Sequence, residues 1–80
     1  MADLELPADL LPLHIAALRA DRAMTTAREA DGDVDAARAA YLEAVATLDA
    51  HPYWEEQRRA GRRQAAWQAS LDAAKKAIDG

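Results

Sequence analysis

Three aspartates at alternate positions, Asp31, Asp33 and Asp35, share the D-x-D-x-D spacing that can present carboxylates to calcium. A calcium loop also needs glycine at its sixth position and a bidentate acid at its twelfth. Here those positions hold Ala36 and Leu42, and Glu43 falls one residue late. The aspartates are therefore read as helix-capping, solvated residues, and no metal site is expected. His14 and His51 are the only histidines, and neither has a second histidine at ligand spacing. His51, beside Pro52, reads as a capping residue; His14 reads as flanking a core. Ser70, the only serine, is expected mid-helix with no nearby histidine to activate it. The chain has no glycine-rich phosphate loop, no convincing carboxylate pair and no cysteine. It is expected not to be an enzyme, with no catalytic residue and no cofactor.

The remaining chemistry is basic and aromatic. Arg58, Arg59, Arg62 and Arg63 crowd into one short stretch. Residues 1–51 carry ten acids against four bases, and residues 52–80 carry four acids against six bases, within a net charge of −4. Nucleic-acid binders show stronger local basicity, so nucleic acid is an unlikely partner and a nucleic-acid accessory role stays the alternative. Glu55 and Glu56 stand at helical spacing to pair with the arginines, and Arg59 and Arg63 could reach back to the acidic first half. Trp54 falls off the stripe that holds Trp67. It is either an interface anchor, since Trp and Arg dominate binding hot spots, or a staple at the start of the third helix. Trp54, Arg58 and Arg62 are the candidate partner-binding set, whereas Trp67 is expected in the core.

Composition limits the scaffold that must hold these residues. The chain has 80 residues, 22 of them alanine, with three glycines, three prolines and no phenylalanine. Few β-branched residues argue against a sheet. No apolar run approaches the roughly 20 residues of a membrane span. The acidic start, residues 1–15, lacks the basic region of a secretory signal, so a cytoplasmic location is expected. Arginine outnumbers lysine eight to two, which with the abundant alanine fits a GC-rich bacterial genome. A chain this short buries only about 60% of its unfolded surface, so it is a single small domain or half of a dimer.

Punctuation predicts three helices, about 10–30, 34–50 and 52–78, and an all-α fold: a three-helix bundle, or a helical hairpin plus a long C-terminal helix. Asp9 can cap the first helix, with Pro12 in its first turn, and Gly32 can end it. Asp33 can cap the second helix, Pro52 suits the first turn of the third, and Gly61 is the third helix's weak point. In the second helix, Val34, Ala37, Tyr41, Ala44, Val45 and Leu48 form one stripe. In the third, Tyr53, Ala60, Trp67 and Ala74 recur every seven residues, joined by Leu71 and Ile78. The first helix is apolar on two sides: Leu11, Ile15 and Leu18 on one, and Leu13, Ala17, Ala20, Met24 and Ala27 on the other. Such a helix either lies between two partners or offers a face to another chain. Leu13, Ala17, Ala20 and Met24 are the candidate self-association face.

Gly32-Asp33, Ala37, Tyr41 and Ala44 give the pattern G-D-x-x-x-A-x-x-x-Y-x-x-A. Over residues about 18–48 this resembles a single tetratricopeptide repeat, in which a Gly-Asp turn joins two helices that small alanines let approach closely. The pattern differs at Asp21, Thr25 and Arg28, and the closing proline, Pro52, comes one turn late. The resemblance implies a protein-interaction module. The expected function is a small non-enzymatic module that binds a protein partner or itself, as a homo-oligomer, through helical faces. A structural subunit of a larger assembly is the further alternative.

Overall fold

The computed structural model describes residues 5–79. The acidic first four residues, part of the stretch read against a secretory signal, lie outside them, as does Gly80. The fold is all-α, with four helices and no strand among the described residues: α1 (Leu10–Glu29), α2 (Val34–Asp49), α3 (Pro52–Arg59) and α4 (Arg63–Asp79). No helix among them is long and apolar enough to cross a membrane.

Local chemistry fixes each helix end. The α1 C-terminus closes by a double hydrogen bond: the Gly32 N–H donates to the Ala27 carbonyl (2.8 Å) and the Asp31 N–H to that of Arg28 (3.3 Å). The residue that turns left-handed there is Asp31, at φ 56°, and not Gly32 as the glycine implied. Asp33 caps α2 as expected, its Oδ1 accepting from the Ala36 N–H at 3.0 Å. Asp9 occupies the N-cap of α1 but makes no side-chain cap bond. Its carboxylate instead meets His51 Nε2 at 3.1 Å. His51 in turn caps α3, where Nδ1 accepts from the Tyr53 N–H at 3.1 Å and Pro52 starts the helix.

The single third helix expected over residues 52–78 is two helices. Gly61 takes φ 73°, and the Arg62 and Gly61 N–H groups close onto the carbonyls of Gln57 (2.8 Å) and Arg58 (3.1 Å). This is the same closing motif that ends α1, here with glycine in the left-handed position. The break has a packing consequence. Thirteen residues along an unbroken helix would put Trp54 and Trp67 about 140° apart around its axis. The turn at Gly61 lets both rings face one core, with centroids 4.9 Å apart.

Packing makes α1 the central helix. It pairs with α2 through a tight antiparallel hairpin. On its other side α4 runs parallel to it: His14 meets Ser70 near one end, and Arg22 holds Asp79 at the other by a two-pronged contact of 2.8 and 3.0 Å. The two apolar sides of α1 thus serve two neighbours within one chain. All six residues of the α2 stripe are shielded, while every other α2 residue is exposed. The main core gathers at one end, where Leu10, Ala17, Leu48, Tyr53, Trp54 and Ala66 meet and short α3 closes the bundle.

Candidate functional site

An apolar groove opens where α2 and α4 stand apart over α1. The α1 residues His14, Ala17, Leu18 and Asp21 form its floor. Tyr41, Val45 and Leu48 of α2 form one wall, and Trp67 and Leu71 of α4 the other. The cavity holds about 200 Å³. Its lining is largely apolar, with polar groups only where His14, Asp21 and Tyr41 contribute them. Spacing on α1 explains the floor: positions 14, 17, 18 and 21 step by three and four and share one helix face.

His14 anchors the inner end of the groove. Its Nδ1 lies 2.6 Å from Ser70 Oγ. Its ring packs on Trp67 at 4.8 Å and stands edge-on to Trp54 at 6.5 Å. Burial pushes the imidazole below its ordinary value, because the charged ring would lose its hydration. The expectation that Ser70 has no histidine nearby therefore fails: α1 and α4 bring together two residues 56 positions apart. Ser70 is 1% exposed, so its hydroxyl is walled off from any substrate. The pair is a satisfied polar contact inside the core. At the other end of the floor, half-buried Asp21 has no cationic side chain within 4 Å of its carboxylate among the described residues.

The residues singled out from the sequence scatter. Trp54 is 3% exposed, and its Nε1–H donates to the Leu48 carbonyl at 2.8 Å, satisfying an orphan acceptor in the last turn of α2. It is a staple and cannot serve as an exposed anchor. Arg58 is exposed and held by Glu55 at 2.6 Å, and Arg59 lies 3.6 Å from the same carboxylate. Hydrogen bonding to Arg58 holds the Glu55 carboxyl below its usual range. Arg63 does reach back to the acidic half, donating to Asp49 at 2.9 Å while its guanidinium lies over both tryptophans at 5.9 and 5.4 Å. Of the four arginines only Arg62 lacks a carboxylate within 4 Å among the described residues. Two carboxylates, Glu55 and Asp49, thus offset half of the patch's charge within the chain.

The expected self-association face is also partly consumed. Ala17 and Met24 are buried within the chain, and Leu13 and Ala20 are half-buried, because α1 sits between two helices instead of at the edge. The three aspartates of residues 31–35 each have a local role: Asp31 in the left-handed turn, Asp33 as a cap and Asp35 in the first turn of α2. The groove was missed because its polar residues looked incidental: His14 read as a core flank and Asp21 as a departure from a repeat pattern. Their seven-residue spacing was the available signal.

No family model, curated protein or solved structure matches the chain.

Proposed function

We propose that this chain is a small non-enzymatic interaction module whose groove receives an amphipathic helix of a different protein. The observation that carries the reading is the groove itself: an apolar trough floored by one helix and walled by two, with the unpaired Asp21 carboxylate at one end. A helix laid between α2 and α4 would complete a four-helix arrangement and bury apolar side chains against Leu18, Val45, Trp67 and Leu71. Asp21 calls for a lysine or arginine on that helix, since a half-buried carboxylate favours a cation nearby. The resemblance to a tetratricopeptide hairpin supports the same class of function, and so does the inaccessibility of Ser70.

Site-specific photo-crosslinking tests the reading. A photoreactive residue at Leu71 should join the chain to an apolar helical segment of one other protein, and the same group at exposed Ala65 should not. Asp21→Lys should suppress the Leu71 crosslink. Crosslinks confined to a second copy of this chain, or equal yields at both positions, would refute the proposal.

A further inference from the structure

Two side-chain atoms of the described residues are sealed from solvent without any hydrogen-bond partner: the Tyr53 hydroxyl and Gln57 Oε1. They belong to residues one turn apart on α3, which are 5% and 7% exposed. Native chains rarely leave such atoms unpaired, because the loss of hydration is uncompensated. Both residues line a polar concavity of about 520 Å³, on the side of the molecule formed by α3 and the segment leading into α1. Leu6 and Pro7 give it an apolar wall, Glu5 and Glu56 line it, and Arg62, the one arginine of the patch unpaired among the described residues, is its single cation.

These groups define complementary chemistry. Arg62 donates and carries charge, so it calls for an anionic acceptor. Tyr53 can donate to the same acceptor; burial pushes its phenol up, which keeps it protonated. Gln57 Oε1 only accepts and calls for an N–H, and the Glu5 and Glu56 carboxylates favour a donor as well. We propose that this pocket binds an α-carboxylate bearing an N–H on the neighbouring carbon, the grouping shared by a free α-amino acid and the C-terminal residue of a peptide. The carboxylate sits against Arg62, and a small shift of the Tyr53 ring uncovers its sealed hydroxyl to the same group. A small turn of the Gln57 amide brings its oxygen to the ligand N–H. Leu6 and Pro7 receive an apolar side chain.

The test is titration of the ¹⁵N-labelled chain with L-leucine, N-acetyl-L-leucine and L-leucinamide, following the Gln57 side-chain amide and the Arg62 Nε signals. Saturable shifts with the first two and none with leucinamide are expected. Stronger binding of N-acetyl-L-leucine assigns the pocket to a peptide C-terminus; stronger binding of L-leucine assigns it to the free amino acid. Tyr53→Phe and Gln57→Met each remove an unpaired atom. Each should keep the amide fingerprint, melt no lower than the parent and bind about tenfold more weakly. The proposal is overturned by an absence of shifts with all three probes, by equal shifts with leucinamide, or by a clear fall in melting temperature in both variants, which would mean that water already satisfies the two atoms.

Discussion

Among the described residues two hold left-handed backbone, and they are unequal. Gly61 adopts φ 73° at no steric cost, and a Cβ there would meet nothing within 4 Å. Gly61→Ala should therefore cost only the conformational penalty, about 1–2 kcal/mol, measured by urea unfolding. Asp31 pays that kind of penalty already, at φ 56°. Asp31→Gly should raise stability by up to about 1 kcal/mol, and a loss would show that its carboxylate is needed in the turn. His14 sets a pH dependence. In the unfolded chain its ring takes up a proton near pH 6.5, while burial disfavours that proton in the folded chain. The folded state then binds fewer protons, so stability is complete above about pH 6.5. It declines as pH falls from there towards the lowered folded value. Melting curves between pH 7 and 5 should show this decline, and His14→Leu should flatten it. Exposed carboxylates such as Glu55 and Asp79, held below their ordinary range by arginines, act only in more acidic solution.

At the scale of elements, the aromatic corner depends on α3 crossing the end of the bundle. Trp54 packs against Tyr53 at 5.4 Å and Trp67 at 4.9 Å and bonds to the end of α2. Trp54→Ala should cost about 3–5 kcal/mol, enough to unfold much of a chain this small; circular dichroism would register it. Arg63→Ala should cost less, about 1–2 kcal/mol, because the ion pair with Asp49 is partly exposed and the stacking on the two tryptophans is what is lost. The second helix was legible residue by residue, since one buried face on an unbroken helix leaves one periodic stripe. The two apolar sides of α1 were legible too, but periodicity alone could not say whether the second neighbour was α4 or another chain. The third helix misled because Tyr53, Ala60, Trp67 and Ala74 keep a seven-residue rhythm across Gly61. The rhythm is accidental there: Ala60 is exposed at the break, and the buried positions of α4 are Ala66, Ser70 and Ala74. Gly61 was the one local sign of interruption. The His14–Ser70 contact had no sequence signal, because it joins helices that only the tertiary fold brings side by side.

The whole molecule is elongated, 45 × 26 × 18 Å with a radius of gyration of 13.9 Å. An average compact chain of this length would measure about 12 Å. The excess follows from α2 and α4 flanking α1 without closing over it, which is what leaves the groove. With α4 covering the second side of α1, the only large apolar residue left well exposed among those described is Leu42, at 56%. The other apolar hollow, between α1 and α2, is lined by Leu13, three alanines, Glu43 and Thr47, a weak surface on which to pair two copies. With the groove proposed to receive a different protein, the chain alone is expected to be a monomer. Light scattering across a concentration series measures this most directly. A constant mass near 8.7 kDa is the predicted result. A mass that climbs to twice that value with concentration would contradict it, and would assign the groove to a second copy of the same chain.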